Sequence, residues 1–314
     1  MESSLDNKSG TGFDFQQAIL GAYKRYPEIN GQVFFFNGSN REIWHPDEEI
    51  GQIAVDFCNK DAGFASLLNK AFQEARHTRL RMPGGMISFI VFYPQEDGSE
   101  FGAKDIRDDF LNFVFNHELG HALFDSSREN IADGYALLRH IQNKSDDIRL
   151  VHRVAFSRAA SAVNHGYLKH YTLPLITRLL ELRKTVALEK LSRDQTKSLV
   201  KELDKSFPFR HSADIAKDFK KAFASYHACE TPEEKCRALQ KIIARTHDRD
   251  IFEAGSTILK AISDPHIELG AHGAPKISLS QDERDNISKN IDKKARSLRI
   301  SEYYPQFMPM AGAQ

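Results

Sequence analysis

Residues 116–138 read NHELGHALFDSSRENIADGYALL, and the side chains there that can do chemistry are His117, Glu118, His121, Glu129 and Asp133. His117 and His121 are four apart, so on a helix they share one face, a turn apart. Two imidazole nitrogens placed that way can reach one cation, and imidazole suits Zn2+. Glu118 points about 100° round the helix from His117. From there its carboxylate leans over the open side of the cation, where it can take a proton from water and hand it to a leaving amine. The cation lowers the pKa of its water towards neutrality. That is the physical logic of an H-E-x-x-H pattern.

These residues need rigid elements behind them. Residues 105–124 carry Ile106, Phe110, Phe113, Val114, Leu119 and Leu123 at helical spacing, with Asp105 as a candidate N-cap. The run "DSSR" interrupts the pattern, and a second helix is expected over 128–142, with Ile131, Tyr135, Leu138 and Ile141 on one face. Upstream, 13–25 and 61–77 read as amphipathic helices, Asn37-Gly38 marks a hairpin within 31–45, and "MISFIVFYP" (86–94) reads as a buried strand. From 147 onward the pattern is helical almost throughout: 147–165, 172–190, 193–205, 212–227, 231–247, 251–263 and a charged helix at 280–298.

The expected fold is therefore α+β: a front half with a small mixed or antiparallel sheet and the HExxH helix, then a mostly α-helical half. The divisions expected are a flexible tail (1–12), a catalytic core (13–146), a helical subdomain (147–264), and a loop, charged helix and tail (265–314).

"HELGH" followed by "ENIAD" resembles the zincin metallopeptidases of the gluzincin type, in which HExxH is followed by E-x-x-x-D on a second helix. The resemblance is tight over 116–138 and loose over the preceding strand. It implies a zincin-like catalytic half, with His117, His121 and Glu129 as zinc ligands and Glu118 as general base. It also implies that Asp133 orients His117 from behind the metal. The reaction implied is hydrolysis of a peptide bond in a protein or peptide substrate, laid along the 86–94 strand by β-addition.

The spacing from His121 to Glu129 is shorter than in most gluzincins, so the turn must be tight. In an antiparallel hairpin Asp133 lies level with the histidine pair. The lean of helical side chains towards the N-terminus carries the histidines away from the loop and the acids towards it. Both considerations favour Asp133 as a direct ligand. Ser126-x-x-Glu129 is also a capping box, which gives Glu129 a purely structural reading. Glu129 is the preferred third ligand on the family pattern, with Asp133 the competing one. Further along, His165, Tyr167, His170 and Tyr171 cluster before a helix that Thr172 could cap. His170 or Tyr171 could hold an oxyanion there, or the segment is a wet loop.

Composition narrows the rest. Lys plus Arg equals Asp plus Glu, 43 each, so no net field draws the chain to nucleic acid or an anionic membrane. Cys58, Cys229 and Cys236 are too few and scattered for a disulfide framework, although Cys229 and Cys236 with His227 form a loose metal-like grouping. The N-terminus lacks a signal-peptide core and no run is long enough to span a bilayer. The expectation is a cytoplasmic protein, or one exported without a cleaved signal. A different class is also open: a non-catalytic interaction module with a structural zinc or none. So is an exported effector or toxin protease with the same chemistry.

Overall fold

Large apolar residues follow one another without a break along two short runs, and such unbroken runs build a sheet with two buried faces. Strand β1 (Val33–Asn37) and strand β4 (Gly85–Phe92) pair in parallel, with Phe35 opposite Ile90. β2 (Glu42–Trp44) pairs antiparallel with β1, and β3 (Ala75–Met82) antiparallel with β4, giving the order β2-β1-β4-β3. The structure is a computed structural model. It describes residues 13–37, 42–60, 75–82, 85–92, 104–207, 213–264 and 277–300; for 42, 57–59, 76, 80, 82, 85, 104–107 and 213–214 it describes backbone only.

Side chains two apart share a face of a strand. One face of the sheet carries Phe34, Phe36, Ile87, Phe89 and Val91, covered by Ala54 and Ile50 of helix α2 (Glu48–Lys60). The other carries Phe35 and Phe92, on which Phe115 of helix α3 (Lys104–Leu123) stacks at 5.5 and 5.6 Å between ring centroids. Phe15 of helix α1 (Phe15–Arg25) packs on Phe92 at 5.1 Å. Each such aromatic pair adds about 0.5–1.5 kcal/mol beyond area burial. Phe115 and Leu119, 3% and 2% exposed, fix the rotation of α3, and His117, Glu118 and His121 are placed by that rotation.

The chain's contacts divide it into two units, Met1–Ser127 and Arg128–Gln314, with the boundary inside the 116–138 stretch; the sequence division was drawn after residue 146. The first unit is α+β among its described residues. The second is helical: α4 (Glu129–Asn143), α5 (Arg149–His165), α6 (Leu173–Leu182), α7 (Arg193–Ser206), α8 (Ala213–Ala222), α9 (Ala224–His227), α10 (Pro232–Arg245), α11 (Arg249–Ser263) and α12 (Gln281–Ser297). No described helix is long and apolar enough to cross a membrane.

Four expectations change, one being the 212–227 helix, which is interrupted at Phe223 to give α8 and α9. Ala75–His77 open strand β3 and do not end a helix; the rest of the 61–77 helix lies outside the described residues. The 86–94 strand is β4, which has a neighbour on both sides, so a peptide cannot add to it. The expected helix over 172–190 ends at Leu182, and a separate 3-10 turn follows at Leu188–Lys190. The expected tails at 1–12 and 301–314 and most of the 265–280 loop lie outside the described residues.

Candidate metal centre

The two histidines sit on the buried side of α3, His117 and His121 each 8% exposed, with ring centroids 4.9 Å apart and planes at 90°. The helix then ends in a tight reversal. Asp125 adopts left-handed φ (49°), Ser126 N–H donates to His121 C=O (3.0 Å) and Asp125 N–H to Ala122 C=O (3.3 Å). That is the Schellman pattern, with Asp125 in the place usually taken by glycine. The Asp125 carboxylate is 2.6 Å from the Arg79 guanidinium of β3.

The turn also orients His121. Its Nδ1 lies 2.8 Å from Ser126 C=O, so Nδ1 carries the proton and Nε2 keeps a lone pair that could bind a metal. This contact draws the His121 ring towards the turn. The lean assumed for it from helix geometry ran the other way, and that lean was a premise for Asp133 as the direct ligand.

Glu129 is the first residue of α4, whose N-cap is Arg128 with no side-chain cap, so the Ser126–Glu129 capping box does not form. Its carboxylate sits at a helix N-terminus, which favours negative charge. It is 6% exposed. Ligand atoms of His117, His121 and Glu129 all lie within 4.8 Å of one another, the one such group among the described residues. The grouping is local in the chain: a helix end, its Schellman turn and the next helix start. The donor set is two imidazoles and one carboxylate, which fits a borderline divalent cation such as Zn2+.

Asp133, 0% exposed, does not join this group. One of its oxygens accepts from Arg158 Nη2 (2.8 Å); the other accepts from Arg158 Nε (2.9 Å) and Thr172 Oγ1 (2.5 Å). Thr172 is at the N-cap of α6 but makes no cap with its hydroxyl. His170 Nδ1 lies 2.9 Å from Glu129 Oε2, within ion-pair distance though not aligned as a hydrogen bond. Tyr171 is partly buried: its hydroxyl donates to Asp250 C=O (2.9 Å), and burial first, then the Asp250 carboxylate, push it well above the usual phenol range. With its hydroxyl proton given to Asp250 C=O, Tyr171 has no donor left for an oxyanion. Tyr167 is exposed and its ring lies against His170. His140 faces inward and bonds Asp147 C=O, and the Cys229, Cys236 and His227 grouping forms no metal-capable cluster.

Glu118 is half-buried, and its Oε2 accepts the backbone N–H of His77 at 2.6 Å. His77 is the site residue that the sequence reading missed, because it fell at the end of a supposed helix. Its ring stacks on His121 at 5.8 Å and its Nε2 is 3.0 Å from Ser88 Oγ. Burial above all, then the neighbouring His121 and Arg79, lower its pKa to about 4, so it is neutral at physiological pH. Arg79, on the same strand face two residues on, reaches the turn. The signal that could have found both is the alternation in "ARHTRLRM", whose odd positions put His77 and Arg79 on one side.

No protein-family model matches the chain, and no curated protein or solved structure is significantly similar to it.

Proposed function

We propose that the protein is a zinc-dependent metallopeptidase of gluzincin-like design, with His117, His121 and Glu129 as ligands and Glu118 as general base. The observation that carries this is the buried His117–His121–Glu129 group with Glu118 adjacent to it on α3. A divalent cation there would supply Lewis acidity to a water and to a scissile carbonyl. His121, held through Nδ1, offers a fixed Nε2. Glu118 sits where it can accept a proton and release it to a leaving amine.

The peptide class rests on β3. The His77 N–H goes to Glu118, so His77 and its partner Ile90 form a non-hydrogen-bonded pair, and by the antiparallel alternation Arg79 also turns its backbone groups outward. β3 is the outer strand of the described sheet. An extended peptide could pair with that edge beside Glu118. This moves the substrate strand from 86–94 to β3.

A structural zinc is the competing reading. Structural sites close with four protein ligands, whereas the group found among the described residues has three. The test is metal analysis and cleavage of an unstructured protein such as casein by wild type and Glu118→Gln. We expect the variant to keep its zinc and lose activity by about 10²-fold or more. Zinc-loaded wild type that cleaves no peptide or protein would leave a binding role in its place.

A further inference from the structure

The helical unit holds a cavity of about 620 Å3 between α10, α11 and α12, apart from the residues of the metal centre. Its floor is apolar: Ile243, Leu259, Ile287 and Ile291, all buried. Its rim carries four cations, Arg237, Lys241, Lys293 and Lys294, and no carboxylate lines it. In a chain whose charges balance at 43 and 43, this is a local concentration of one sign. None of the four makes an ion pair with a described residue. Lys294 Nζ donates to Ala244 C=O (3.1 Å) across the groove, and Arg237 Nε reaches Glu233 C=O at 3.4 Å.

We infer that this cavity binds a free medium-chain fatty acid, its chain on the isoleucine and leucine floor and its carboxylate at Lys241, Lys293 and Arg237. Small-molecule pockets have volumes of roughly 300–1,000 Å3 with apolar walls and a few convergent polar groups. The floor offers nothing to a bare anion, since it presents no donor. The lysine stems add apolar wall below their charged ends.

Titration calorimetry of the full chain with sodium dodecanoate, kept below its micelle concentration, tests this. We expect saturable binding of one dodecanoate, weakened by about tenfold or more in Lys241→Glu/Lys293→Glu. Both positions are exposed, so the thermal midpoint should not move. Dodecyltrimethylammonium, with the same tail and the opposite charge, should not bind, and acetate should not compete. Any one of four results overturns the inference: no saturable dodecanoate binding, equal binding of the cationic amphiphile, insensitivity to the charge reversal, or competition by acetate. Binding to phosphatidylglycerol vesicles without binding of free dodecanoate would overturn it too, in favour of a membrane surface.

Discussion

Glu129 and Asp133 are both buried carboxylates of α4 four residues apart, yet their surroundings give them different work. Glu129 faces the imidazoles of His117 and His121 within 4.8 Å and that of His170 at 2.9 Å, and Asp133 meets a guanidinium and a hydroxyl. Removing each should therefore fail differently. Glu129→Ala should lose the metal with little loss of fold. Asp133→Ala leaves the Arg158 guanidinium, 19% exposed, without its carboxylate. Breaking a buried pair in this way costs about 3 kcal/mol or more. Urea unfolding should show that loss, while the folded fraction still takes up zinc. The opposite pattern, with metal lost in Asp133→Ala and retained in Glu129→Ala, would exchange their roles. The histidine pair and Glu118 were legible because one helix turn fixes their relation. Glu129, preferred on the E-x-x-x-D pattern, is the carboxylate found with the histidines, whereas hairpin level and side-chain lean alone pointed to Asp133, because neither reveals the hydrogen bond that draws His121 to the turn.

At the scale of the element, the turn between α3 and α4 is short because a Schellman closure needs only one left-handed residue, here Asp125. Asn, Asp and Gly tolerate that conformation and β-branched residues do not. Asp125→Val should cost about 1–2 kcal/mol in thermal or urea unfolding. Asp125→Gly relieves the backbone and loses only the Arg79 pair, which is 38% and 71% exposed. Such an exposed pair is worth about 0–1 kcal/mol, so the glycine variant should be near neutral. Equal losses in the two variants would show that the turn conformation is not what matters. The central strands were legible from their aromatic and β-branched runs, and the hairpin from Asn37-Gly38. β3 was not, since an outer strand rich in arginine has no apolar signature, and charge is what edge strands commonly carry.

For the whole molecule, the helical second unit was legible in its periodicity, whereas the unit boundary inside the motif was not, since no composition change marks it. Its stability should depend on pH through His152. Burial first, then Lys260, lower its pKa below the ordinary 6.5, against a smaller raising effect from Asp264. Below pH 6.5 the unfolded chain then binds the proton more readily than the folded one, so this contribution is present above 6.5 and is lost as pH falls towards the folded value. The loss in urea midpoint between pH 7 and pH 5.5 should be smaller in His152→Gln than in wild type; an identical loss would remove His152 as its source. The most direct test of the metal centre is an anomalous difference map at the zinc edge from crystals of zinc-loaded protein. We expect one strong peak at about 2.0–2.2 Å from His117, from His121 Nε2 and from a Glu129 oxygen. A zinc-loaded crystal with no peak there, or with its peak on other residues, would contradict the assignment.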